Sequence, residues 1–92
     1  MNTYESIIIV NPQVDEAKLK SIEEQYTGLI NEHGNVESVE NMGKRKLAYE
    51  IKKHKEGTYM LFNFKAKPDF IQELERNYRI SDDIIKFITV KK

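Results

Sequence analysis

Along this chain the spacing of apolar residues switches from a strand's alternation to a helix's three-and-four spacing and back, twice over. Tyr4 to Val10 is β-branched and aromatic with apolar residues on both alternating sets, and it stops at the turn signal Asn11-Pro12, which predicts a central strand. Asp15 is suited to cap a following helix, in which Ala17, Leu19, Ile22, Tyr26, Leu29 and Ile30 recur at three and four; His33-Gly34 supplies its stop, so the helix is expected over 16–33. Asn35 to Met42 is polar and weakly alternating, whereas Lys46 to Ile51 puts Leu47, Tyr49 and Ile51 on one face. Gly43 between them predicts a bulge within one long strand. Lys52 to Gly57 reads as a polar loop, and Thr58 to Lys65 is the strongest strand, so the strands around the loop pair as a hairpin. Pro68 fits a first helical position, Asp69 favours the N-terminal dipole, and Phe70, Ile71, Leu74 and Tyr78 form the apolar stripe of a second helix. Ser81-Asp82-Asp83 ends it, and Ile84 to Val90 is a last strand followed by Lys91-Lys92.

The resulting β-α-β-β-α-β order defines an α+β class, the ferredoxin-like split βαβ plan: a four-stranded antiparallel sheet with two helices on one face. Right-handed crossovers place the first and third strands in the centre and the second and fourth at the edges. The other sheet face is expected to be open. At 92 residues the chain is long enough for one core and too short for two, so residues 1–92 form a single domain.

No cysteine is present, which removes disulfide frameworks and thiolate chemistry and fits a reducing, cytoplasmic setting. The longest apolar run, Ile7 to Val10, is far shorter than a bilayer span, and no signal-like segment opens the chain. Fifteen Lys and Arg balance fifteen Asp and Glu, a neutrality that by itself argues against a nucleic-acid partner. Resolved along the chain, it becomes an asymmetry. Residues 1–40 hold eight carboxylates against Lys18 and Lys20, a charge of −6, and residues 41–92 carry +6. Within that half Lys44, Arg45, Lys46, Lys52, Lys53 and Lys55 are relieved only by Glu50. Such a split creates a local potential suited to phosphate contacts, the alternative being a solubilising surface.

Catalytic patterns are missing. His33 and His54 lack companion ligands at metal-binding spacing, Asp82-Asp83 is explained by helix termination, and no phosphate loop or nucleophile elbow occurs. Acylphosphatase shares this element order but uses a Gly-rich anion loop followed by Arg. This chain has Asn11-Pro12-Gln13-Val14 there, so no enzyme, cofactor or metal is expected. Proteins that stack single-stranded RNA on such a sheet offer exposed aromatics on the central strands. Lys55, Gly57, Tyr59, Phe62 and Phe64 give a superficial likeness, but Tyr59 and the Phe pair fall on opposite faces, and the Phe pair is assigned to the core. Tyr4 is compatible with either face.

The stretch Gly43, Arg45, Leu47-Ala48-Tyr49, Ile51, Lys53, then Gly57 and Tyr59, resembles the G-x-R-x-L-A-Y-P-I signature and following G-x-Y of the bacterial small-subunit ribosomal protein S six family. Tyr4-Glu5 and Val10-Asn11-Pro12 with Asp15 resemble that family's first strand and the start of its first helix, so the likeness covers essentially the whole chain. Glu50 stands where a proline is usual, which restores a backbone donor on an edge strand and puts the local pairing in question. The chain ends at Lys92 without the acidic C-terminal extension that some members carry. The resemblance implies a non-enzymatic constituent of the small ribosomal subunit. It also implies that the chain binds the central domain of small-subunit ribosomal RNA together with ribosomal protein S eighteen, as a heterodimer, during assembly. Charge and placement nominate Lys44, Arg45, Lys46, Lys53, Lys55, Lys86, Lys91 and Lys92 as the RNA-facing residues. Gly43, Gly57, Leu47 and Tyr49 are expected to shape and pack the hairpin, and a free-standing RNA-binding or regulatory protein using the same sheet is the alternative.

Overall fold

A helix needs partners for its first amide groups, and Asp15 supplies one for α1 (Glu16–His33), its carboxylate accepting the Lys18 N–H at 2.8 Å. In the computed structural model, which describes all 92 residues, α1 lies between β1 (Asn2–Val10) and β2 (Gly34–Ile51). β3 (His54–Ala66), α2 (Pro68–Ile80) and β4 (Ile84–Lys91) complete the expected order. α2 has Lys67 at its N-cap and no side-chain cap; Pro68 removes one of the unpartnered amide donors and Asp69 places a negative charge in the first turn. Every strand pair is antiparallel and the sheet order is β2-β3-β1-β4, which puts β1 and β3 in the centre as expected.

The strand period of two sorts side chains between the faces. Tyr4, Ile8 and Val10 of β1 and Met60, Phe62, Phe64 and Ala66 of β3 form one core with Ile22, Tyr26 and Ile30 of α1 and Phe70, Leu74 and Tyr78 of α2. Fully buried side chains such as Phe62, Phe64 and Leu74 each stabilise the fold by about 1.5–3 kcal/mol. Tyr4 stacks on Phe64 with ring centroids 5.7 Å apart, so it belongs to this core and offers nothing to a base. The core holds one polar chain: the Ser6 hydroxyl shares hydrogen bonds with Tyr78 Oη at 2.9 Å and Thr89 Oγ1 at 3.0 Å, linking β1, α2 and β4. Burial pushes the Tyr78 phenol well above its ordinary value, only partly opposed by the Ser6 hydrogen bond. His33 stacks on Phe70 at 4.8 Å, and its Nε2 lies 3.3 Å from Glu73, so this histidine fastens the end of α1 to α2.

The hairpin is longer than the sequence predicts. The turn is only Lys52-Lys53, and residues 54–57, expected in the loop, already belong to β3. Both lysines have positive φ, 48° and 69°, the primed-turn geometry whose twist matches the flanking strands. Neither is a residue that normally announces such a turn, which is why it was hidden. Gly43 does sit at the expected bulge: its φ is 82°, and the β2–β3 register slips between Asn41 and Gly43.

Candidate nucleic-acid interface

Beyond Gly43, residues 44–57 form an arm that carries most of the nominated cations. Lys46 pairs with Glu56 and Ile51 with His54, so Leu47 to Glu50 bow out from the ladder with no β3 partners in register. Glu50 therefore does not extend the pairing that a proline would interrupt.

The bow carries Tyr49 across the sheet. β2 and β4 are opposite edges, yet Lys86 Nζ of β4 donates a 2.8 Å hydrogen bond to Tyr49 Oη. The ammonium is 5.2 Å from the ring centroid and much nearer the hydroxyl, so the hydrogen bond, not attraction to the ring face, is the main contact. Lys86 lies opposite Ile9, on the sheet face turned away from the helices. On that face Ile9 and Ile85 are each only 7% exposed although neither belongs to the main core. Gly57 makes this possible: a Cβ there would collide with Ile9 Cγ2 and lie 3.5 Å from Ile85 Cδ1.

The face expected to be open is thus covered at its arm end and open only at the other. There Ile88 and Val90 are 52% and 48% exposed. Ile7, Leu61 and Tyr59 are half-buried nearby. Lys92 Nζ closes this end by reaching Asn63 Oδ1 at 2.9 Å and Glu5 Oε2 at 3.3 Å. Tyr49, assigned from sequence to packing within the hairpin, is instead 62% exposed and touches a strand on the far side of the sheet.

The nominated residues fall into three places. Lys46, Lys53 and Lys55 surround one concavity of the arm with His54, Pro12 and two carboxylates, Glu50 and Glu56, and Arg45 is exposed opposite Gly57 on the same arm. Lys44 faces the other way, into a groove shared with Glu16, Lys20 and Glu23 of α1. Lys86 joins the arm through Tyr49. Lys91 and Lys92 are not part of this group. Lys91 pairs with Tyr4, at the opposite end of β1 from Val10 and the arm, so about 20 Å of strand separates them. Lys52 and His54, which were not nominated, belong with the arm. The run of basic residues around the turn was their signal, whereas Tyr49 gave none, because its partner is 37 residues away.

The acidic first helix and the basic arm are segregated, and their arrangement offers a cationic projection beside a partly open apolar sheet. The family described as Ribosomal protein S6 matches residues 3–91. The chain is 44% identical to the small ribosomal subunit protein bS6 of Heliobacterium modesticaldum, over all of this chain and 97% of that one. It is 46% identical to the bS6 protein of Clostridium novyi, over 98% of this chain and 96% of the relative. The crystal structure of 30S ribosomal protein S6 from Thermotoga maritima superposes with a TM-score of 0.94 at 39% identity, covering 99% of this chain and 87% of that one. The signature around the arm, the split βαβ sheet and these full-length likenesses agree: the chain belongs to the ribosomal protein S6 family of the small ribosomal subunit.

Proposed function

We propose that this chain binds the central domain of small-subunit ribosomal RNA through its arm, jointly with ribosomal protein S eighteen as a heterodimer, during assembly of the subunit in the cytoplasm. The observation that carries this reading is the gathering of Arg45, Lys46, Lys53 and Lys55 on one projecting arm, where they outnumber Glu50 and Glu56 and stand away from the carboxylates of α1. Phosphate neutralisation is their role, and the Arg45 guanidinium can also grip a phosphate through two parallel hydrogen bonds. Lys44 stands at the base of the arm on the side of α1, and Lys86 stands beside the arm on β4. Lys91 and Lys92 meet a second stretch of the same RNA from the far end of the sheet. A neutral domain has little long-range attraction for RNA, so a companion protein supplies the remainder. The exposed Ile88 and Val90 beside Ile7 and Leu61 suit that companion better than they suit phosphates.

The test is a titration of a central-domain RNA transcript, with S eighteen present, by three proteins: wild type, Arg45→Ala and Lys20→Ala. Lys20 lies on α1 beside Glu16 and Glu23. Arg45→Ala is expected to weaken binding on the order of tenfold and Lys20→Ala hardly at all. Equal effects would reject the arm as the RNA-facing side.

A further inference from the structure

We infer that the Tyr49–Lys86 hydrogen bond is a clasp that positions the basic arm, with Lys86 acting on RNA through Tyr49 rather than chiefly by touching phosphate. The inference rests on the arm being the RNA-facing element. Four features of the fold converge on it. The arm is held to the sheet by ladder pairing only on its flanks, because Leu47 to Glu50 have no partners on β3. Its turn is two lysines in a left-handed conformation that neither favours, so local sequence does little to stiffen its tip. Its one side-chain hydrogen bond to β4 is the 2.8 Å contact between Tyr49 and Lys86. Beneath that contact the sheet is unusually well covered, with Ile9 and Ile85 buried and Gly57 keeping space for them.

The chemistry distinguishes a clasp from a free cation. Lys86 is the cation on β4 nearest the arm, and its ammonium is committed to a phenol hydroxyl with no carboxylate in the contact. A phenol oxygen leaves the positive charge uncancelled, so the clasp fixes the arm and keeps the local potential attractive to phosphate. Releasing it frees residues 44–57 to sample many orientations, and RNA must then order them on binding. That ordering lowers affinity without changing how many phosphates are neutralised.

The experiment uses full-length protein and reads two quantities. Hydrogen exchange of the amides of residues 44–56 is measured on the free protein for wild type, Tyr49→Phe, Lys86→Gln and Lys86→Arg. Affinity for the central-domain RNA transcript with S eighteen, and its salt slope, are measured on the same set. Tyr49→Phe changes no charge, and it is expected to speed arm exchange and weaken RNA binding on the order of fivefold while leaving the salt slope unchanged. Lys86→Gln is expected to speed arm exchange to the same extent, Lys86→Arg to restore slow exchange and affinity, and the double variant Tyr49→Phe/Lys86→Gln to exchange no faster than either single one. Amides of Ile8 and Phe62 report whether the core is intact. Unchanged arm exchange in Tyr49→Phe overturns the clasp, and faster exchange with unchanged RNA affinity overturns its positioning role. If wild type fails to bind the transcript, the reading of the arm as the RNA-facing element has failed, while the exchange data still decide whether the clasp exists.

Discussion

Tyr49 and Lys86 stand on the two outermost strands of the sheet, with β3 and β1 between them, and are nevertheless 2.8 Å apart. Strands at opposite edges of a four-stranded sheet meet only if one of them folds over a face. Here the unpaired bow at Leu47 to Glu50 lets β2 do so. The consequence is a sheet face divided in two: a covered end over Ile9 and Ile85, and an open end around Ile88 and Val90.

The covered end depends on a missing methyl group. Gly57→Ala would drive a Cβ into Ile9 Cγ2, so it is expected to destabilise the fold by about 1–3 kcal/mol, measured as a lower urea midpoint with unchanged m-value. A midpoint equal to that of wild type would show that the arm does not press on this face.

The turn predicts a trade between stability and binding. Replacing Lys52-Lys53 by Asn-Gly supplies residues that accept positive φ and should stabilise the protein by about 1–2 kcal/mol. The same change removes two cations from the arm tip, so RNA affinity should fall and its logarithmic salt slope should shrink by about two. Higher stability with an unchanged slope would remove the turn from the RNA contact.

The buried hydroxyl chain predicts a coupling. Ser6→Ala leaves the Tyr78 hydroxyl without its partner in the core and should cost about 1–3 kcal/mol, whereas Tyr78→Phe leaves Ser6 still bonded to Thr89 and should cost about 1 kcal/mol. The double variant should be less destabilised than the sum of the two, as read by denaturant unfolding. Strict additivity would mean that the two hydroxyls act independently.

Alkaline pH probes the same region. Burial raises both Tyr26 and Tyr78 above the ordinary phenol value of 10.0, so the folded state favours their neutral forms. Their contribution to stability is full below pH 10 and is lost as pH rises above it towards the folded-state values. Tyrosinate absorbance should therefore show the Tyr78 phenol staying neutral until the fold is lost. Ionisation of all five tyrosines while circular dichroism is still native would contradict this.

Much of the fold was legible because its determinants are local. Asp15, the three-and-four spacing from Ala17 to Ile30, Pro68 and Gly43 each act on the few residues around them, and the elements appear where those residues place them. The turn at Lys52-Lys53 was hidden because tertiary pairing imposes a left-handed backbone on residues with no preference for it. The candidate site was legible as a run of charge and illegible as a shape. Composition identified the cations, but only strand register shows that Lys91 and Lys92 lie far from the arm, that Lys44 turns towards α1, and that Tyr49 reaches Lys86.

The central claim is joint recognition of RNA by a neutral domain with a companion, and a filter-binding titration of the central-domain transcript tests it most directly. The chain is titrated alone and with ribosomal protein S eighteen, at about 50 and about 200 mM salt. The account predicts weak binding alone and tight binding together, with the joint affinity falling on the order of a thousandfold across that range if about six phosphates are neutralised. An RNA affinity that S eighteen leaves unchanged, or one that ignores salt, would contradict it.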